Sequence, residues 1–312
     1  MVSTKIRGVL SPVLTPFEAD YSPSVSRFRK HCKLLIDQGV GLAIFGTNSE
    51  ANSMSVKEKR LLLDALLEDG LPAQKMMPGT GCCALSDSIE LTRHAVESGC
   101  AGVLMLPPFY YKGVSDEGLY RSFATIIDAV ADDRLKVYLY HIPPVSQVPI
   151  SLDLIDRLLK AYPNNIAGIK DSSGDWNNTL AMLERFQPQG FDVFAGSESF
   201  LLATLRHGGA GCITATGNVN AAEISQLAQT WQNEDADQQQ ERLNVVRGIF
   251  AKYPMIPAMK AAIAAETGDD GWFTVRPPLV NMSPEQTSSL MQELRAVGYR
   301  LHNAEALVHA GQ

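Results

Sequence analysis

Short apolar runs alternate with longer amphipathic stretches over roughly the first 230 residues, and this alternation limits the fold more than any other feature of the chain. The apolar runs fall near 8–14, 41–45, 75–78, 102–106, 136–140, 166–169, 192–195 and 211–214. Between them, stretches such as 25–37, 56–67, 87–97, 117–131, 152–162 and 179–186 repeat apolar residues every three or four positions, as in Leu61, Leu62, Ala65 and Leu66. Eight strands, each followed by a crossover helix, predict a parallel sheet covered by helices. An open doubly wound sheet usually carries a glycine-rich phosphate loop after its first strand. Here that strand runs into Ser11-Pro12-Val13-Leu14-Thr15-Pro16, with no such loop. The expectation is therefore α/β, a closed (β/α)8 TIM barrel over residues 1–230. Helical patterns around 235–251, 257–266 and 284–297 exceed what a bare barrel needs, which predicts a C-terminal helical extension over 231–312, packed on the barrel.

Several classes of function are disfavoured at this level. A net charge of −7 over 312 residues argues against nucleic acid, whose phosphates require a basic face. No apolar run approaches the length of a membrane span, and the first residues lack a signal-peptide core, so a cytoplasmic protein is expected. Cys32, Cys82, Cys83, Cys100 and Cys212 are odd in number and scattered, which suits reduced thiols. None has the spacing of a metal site, so no metal is expected.

Barrel enzymes work at the C-terminal ends of their strands. The sixth run ends Ile166-Ala167-Gly168-Ile169-Lys170, and strand alternation puts Ile166, Gly168 and Lys170 on one face. Burial disfavours an ammonium and favours the free amine, the form that attacks a carbonyl carbon. The pattern fits a solvated strand-end lysine as well, the commoner fate of that residue type. The fifth run ends Tyr138-Leu139-Tyr140-His141, with Tyr138 and Tyr140 on one face and His141, read as structural, on the other. A phenol at Tyr140 could move protons at an imine; a packed tyrosine reads equally well. Gly46-Thr47-Asn48-Ser49-Glu50 forms a turn whose backbone and side-chain donors suit a carboxylate.

Taken together, Gly168-Ile169-Lys170-Asp171-Ser172-Ser173-Gly174, Tyr140-His141-Ile142-Pro143, Gly46-Thr47-Asn48-Ser49-Glu50, Tyr110-Tyr111, the opening 8–17, Gly79-Thr80-Gly81 and Gly211-Cys212-Ile213-Thr214 resemble the dihydrodipicolinate synthase / N-acetylneuraminate lyase family of class I aldolases. The resemblance runs in order from about residue 6 to residue 300. It implies a lyase that forms a Schiff base with pyruvate or another 2-oxo acid, without metal or organic cofactor, in a homotetramer built as a dimer of dimers. By the same resemblance Lys170 forms the imine and Tyr140 is the general acid/base. Thr47 links Tyr140 to Tyr111, which in the synthase branch comes across a dimer interface. Thr47 and Asn48 bind the carboxylate, and Ile213 lines the pyruvate pocket.

Three departures bear on substrate and regulation. Val145 stands where the synthase branch carries an arginine for the second substrate's carboxylate, and valine cannot form that clamp. Asn48 and Ser49 replace the usual Thr-Gly of the turn. Val56, Cys83 and Asp87 occupy the positions of the lysine-binding histidine, asparagine and glutamate of feedback-inhibited synthases, which predicts no inhibition by lysine. The leading reading is a Schiff-base aldolase or dehydratase for a 2-oxo acid, such as a keto-deoxy sugar acid or 4-hydroxy-2-oxoglutarate. A 4-hydroxy-tetrahydrodipicolinate synthase joining pyruvate to aspartate semialdehyde is the alternative. A barrel that binds 2-oxo acids as a non-catalytic regulator is the reading from another class.

Overall fold

The computed structural model describes residues 5–308. Its elements begin with β1 (Gly8–Ser11), α1 (Val25–Asp37), β2 (Gly41–Leu42) and α2 (Val56–Glu68), followed by α3 (Leu85–Glu97), β3 (Val103–Met105) and α4 (Asp116–Val130). Next come β4 (Val137–His141), α5 (Pro143–Ser146), α6 (Leu152–Ala161), β5 (Ile166–Asp171), α7 (Trp176–Phe186), β6 (Asp192–Ala195), α8 (Leu201–Arg206) and β7 (Gly211–Ile213). The last helices are α9 (Ala221–Thr230), α10 (Ala236–Phe250), α11 (Met255–Thr267) and α12 (Pro284–Ala296). The class is α/β, with parallel strand pairing.

The chain divides into two compact units. One runs to Gly8 and over Pro72–Ile213, the other over Val9–Leu71 and from Thr214 onward. In the first, β3, β4, β5, β6 and β7 pair as successive parallel neighbours. One face of this sheet packs Val137, Leu139, Ile169 and Val193 against Phe123 and Ile127 of α4, Ile155 and Leu158 of α6 and Phe186 of α7. Helix starts are set by side-chain caps: the Ser115 hydroxyl accepts from the Gly118 amide, Ser151 from Leu154, and the Asp175 carboxylate from Asn177.

Two expectations change here. The run 75–78 is not a strand. Ala73–Lys75 make a 3-10 turn, and Gly79 forms an isolated parallel bridge with Leu104. Pro78 has no N–H to continue a ladder, and a Cβ on Gly81 would stand 2.2 Å from the Leu106 carbonyl oxygen. Seven strands, not eight, are therefore found among the described residues. Nor does Ile166 share the face of Gly168 and Lys170. The register between β4 and β5 slips at Ala167, pairing Val137 with Ile166 but Tyr138 with Gly168, and Ile166 joins the helix-facing core.

In the second unit β1 and β2 pair in parallel, Leu10 opposite Gly41 and Ser11 opposite Leu42. Its core joins Leu14 and Leu34 to Ile249, Phe250, Met259, Ile263, Trp272, Leu290 and Leu294. Helix α11 is buried along most of its length, in keeping with its nearly unbroken apolar sequence. Asn218 ties the segment after β1 in place: its Oδ1 accepts from the Leu14 amide at 2.8 Å, and its Nδ2 donates to the carbonyls of Pro12 and Ala215.

Candidate active site

Lys170 and Tyr140 lie side by side on β5 and β4, paired in register, and both are buried, at 2% and 3% exposure. The lysine Nζ stands 4.3 Å from the centroid of the Tyr140 ring. On its other side the strand partner of Lys170 is Phe194 of β6. A solvated strand-end lysine is thereby excluded.

One step back along both strands, Tyr138 is the partner of Gly168, and its ring fills the space between two glycines. A Cβ on Gly168 would come within 2.8 Å of the Tyr138 ring and 2.3 Å of the Asp192 carbonyl oxygen; one on Gly102 would meet the same ring at 2.8 Å. The Tyr138 hydroxyl reaches Asp192, 3.5 Å away, and that carboxylate is held by Arg7 at 2.7 Å and Lys5 at 3.4 Å. Burial pushes both the Tyr138 phenol and the Asp192 carboxyl above their ordinary values, so the phenol stays neutral as a packing group.

The residues after Lys170 are fixed by Asp171. Its buried carboxylate accepts from the Ser173 amide and hydroxyl, from Asn178 Nδ2 at 3.1 Å and from the Thr179 hydroxyl at 2.6 Å. His141 accepts the Ile150 amide on Nδ1 at 3.0 Å, a structural role, and burial lowers its pKa against the pull of Asp171. Ile213, the last residue of β7, is fully buried. Tyr111 is not packed beside Lys170 within this unit. It is 72% exposed on the segment between β3 and α4, its ring edge-to-face with Tyr110 at 5.3 Å. Val145 on α5 is also exposed.

Thr47 and Asn48 belong to the other unit, half-buried in a 3-10 turn spanning Thr47–Ser49. The Gly46 amide donates to the Ser49 hydroxyl at 3.1 Å, and the Thr15 hydroxyl donates to the Ser49 carbonyl at 2.8 Å. Glu50 ends the turn in the left-handed region, φ 56°, its amide donating to the Thr47 carbonyl. Its buried carboxylate accepts from Lys260 Nζ at 2.6 Å and from the Arg276 amide at 2.8 Å. Lys260 lies in α11, wholly buried, 4.6 Å from the centroid of the Phe17 ring. Burial pushes its ammonium down to about 8, with Glu50 opposing that shift and Arg276 adding to it. The sequence places Glu50 in the turn motif without giving it a role of its own, and does not single out Lys260. The available signal was a lone lysine in the otherwise apolar stretch Met255-Ile256-Pro257-Ala258-Met259-Lys260-Ala261-Ala262-Ile263.

Among the described residues no group of three or more histidines, cysteines or carboxylates is arranged to hold a metal ion. No helix there is long and apolar enough to cross a membrane.

A buried amine against a phenol at the end of adjacent parallel strands is the equipment of a class I aldolase, in which the amine captures a ketone and the phenol handles protons. The chain belongs to the dihydrodipicolinate synthetase family, whose model matches residues 5–297. It is 34% identical to an uncharacterized DapA-like lyase of Chloroflexus aurantiacus over 91% of this chain and 94% of that one. It is 30% identical to a 4-hydroxy-tetrahydrodipicolinate synthase of Desulforamulus reducens, over 94% and 97%. Among solved structures it is similar to dihydrodipicolinate synthase from Agrobacterium tumefaciens, with a TM-score of 0.86 and 27% identity over 93% of this chain and 99% of that one. It is also similar to YagE, a family member from E. coli K12 solved in complex with pyruvate, at TM-score 0.84 and 25% identity over 94% and 99%. The chain is thus a lyase of the Schiff-base-forming, class I aldolase type acting on pyruvate or another 2-oxo acid.

Proposed function

We propose that Lys170 is the imine-forming residue, and that the protein cleaves, condenses or dehydrates a 2-oxo acid of the keto-deoxy sugar acid kind. The observation that carries this is the buried Lys170 Nζ, 4.3 Å from the Tyr140 ring centroid. In the proposed reaction the amine adds to the keto carbon of the substrate and the carbinolamine loses water. The protonated imine then draws electrons from the neighbouring carbon, so that a bond there forms or breaks without a metal. Tyr140 gives and takes the protons at the imine and, in cleavage, takes the proton from the C4 hydroxyl as the carbon–carbon bond breaks. Thr47 and Asn48 supply hydrogen bonds to the substrate carboxylate, Thr47 also serves proton transfer together with Tyr111, and Ile213 contributes apolar surface to the pyruvate pocket.

The second substrate in this reading is not aspartate semialdehyde, because exposed Val145 offers nothing to grip its carboxylate. The reading includes a closed (β/α)8 barrel over residues 1–230 with the helices of 231–312 as its extension. It also includes a cytoplasmic homotetramer. The exposed Tyr110–Tyr111 pair suits burial against another copy, and an odd number of scattered cysteines suits a reducing compartment.

The test is reductive trapping. Pyruvate with borohydride should convert one lysine irreversibly to its N-(1-carboxyethyl) form, the imine losing water and gaining two hydrogens, and peptide mapping should find it on Lys170. An unchanged intact mass, or an adduct on another lysine, would overturn the assignment.

A further inference from the structure

We propose that Lys260 is a positioning residue for the reaction: through Glu50 it holds the Thr47–Ser49 turn in the conformation that receives the substrate carboxylate. The proposal rests on the assignment of Thr47 and Asn48 to that carboxylate.

The turn is short and has a strained terminus. Glu50 takes a left-handed backbone conformation, φ 56° and ψ 33°, which a residue with a side chain adopts only when its surroundings require it. The requirement is visible in the side chain. One carboxylate oxygen is bound by Lys260 Nζ at 2.6 Å and the other by the Arg276 amide at 2.8 Å, while Lys260 and Glu50 side chains are 0% and 1% exposed. The same Lys260 ammonium donates to the Thr274 carbonyl at 2.8 Å. Phe17 carries both cations, Lys260 at 4.6 Å and the Arg276 guanidinium at 4.4 Å from its ring centroid. Arg276 in turn donates to the carbonyls of Tyr21 and Ser53 and pairs with Glu58 at the start of α2.

The chain on both sides of the turn is thus fastened to residues 260–276, and Glu50 is the point where that fastening meets the turn itself. A buried ion pair is seldom retained for stability, since a well-packed apolar pair does as well or better. What the pair supplies here is direction: two donors fix both oxygens of Glu50, and the Glu50 amide closes the turn on the Thr47 carbonyl. Without Lys260 the carboxylate has no partner for one oxygen, and the turn loses the contact that holds its last residue left-handed.

The test uses the half-saturating ketone concentration in borohydride trapping, with pyruvate and with hydroxyacetone, a ketone that has no carboxylate. In Lys260→Met the value for pyruvate should rise about tenfold, with the maximal trapping rate changed less than threefold and the value for hydroxyacetone unchanged. Asn48→Ala should behave in the same way. Equal changes for both ketones would make the pair merely structural and overturn the proposal. So would a wild-type value for pyruvate in Lys260→Met beside a raised one in Asn48→Ala. An unchanged value in Asn48→Ala would overturn the carboxylate assignment and this proposal with it. If Lys260→Met does not fold, Glu50→Leu/Lys260→Met leaves no charge unpaired and carries the same expectations.

Discussion

Lys170 and Tyr140 are strand partners whose side chains meet out of reach of solvent, the amine 4.3 Å from the centre of the phenol ring. Asp171 holds the following loop through four hydrogen bonds, none of which involves Lys170. Lys170→Ala should therefore fold, with a far-ultraviolet circular dichroism spectrum like the parent's, and show no turnover and no borohydride adduct. Residual turnover above background would remove this lysine from the reaction.

Tyr140→Phe keeps the ring against the amine and deletes the hydroxyl. Imine formation should remain measurable by trapping, whereas proton-dependent steps should slow by about two orders of magnitude or more. Parent-like rates of pyruvate release or exchange would mean that another group moves the proton.

The Tyr138 ring leaves no room for a methyl group at position 168. In Gly168→Ala the new carbon meets the Asp192 carbonyl oxygen at 2.3 Å as well as the ring, and a backbone atom cannot rotate away. A loss of about 2 kcal/mol is expected from such overpacking, read from denaturant unfolding. Tyr138→Phe should not rescue it, because the hydroxyl is not what clashes.

His31 gives the protein an acid sensitivity with a defined window. It is wholly buried, its Nε2 donating to Asn218 Oδ1 at 3.0 Å and its Nδ1 unpartnered among the described residues, and burial lowers its pKa from 6.5 to about 4. Between those values the unfolded chain binds the proton that the folded chain refuses, so stability falls as pH drops from 6.5 and levels off near 4. Lowering the pH from 7 to 5 should cost about 2 kcal/mol from this group. His31→Gln should lose that share of the decline; parallel curves for parent and variant would contradict the assignment.

In a coupled assay with a reductase for the cyclised product, pyruvate and aspartate semialdehyde should give little condensation, because Val145 cannot replace a carboxylate-binding arginine. Efficient turnover would restore the synthase reading. Introducing Val145→Arg should raise this activity if the position is what excludes it.

Much of this arrangement was legible in the primary structure. Period-two alternation put Gly168 and Lys170 on one face of β5, and Tyr138 and Tyr140 on one face of β4, and the structure has them so. The alternation failed at Ile166, where a one-residue slip turns the side chain to the helices, a local irregularity that no apolar pattern announces. The run 75–78 looked like a strand because it is apolar, but Pro78 has no N–H to carry a ladder, and the segment keeps only an isolated bridge at Gly79. The pairing of Lys260 with Glu50 was not legible because the two are 210 positions apart, and only the folded chain makes them neighbours.

The tight fit of Tyr138 between Gly102 and Gly168 also bears on engineering. Atoms added at Gly102 or Gly168, one step back from Lys170, meet backbone oxygens as well as the ring. Efforts to retune substrate choice are therefore better spent beyond the strand ends, such as on the stretch carrying Val145.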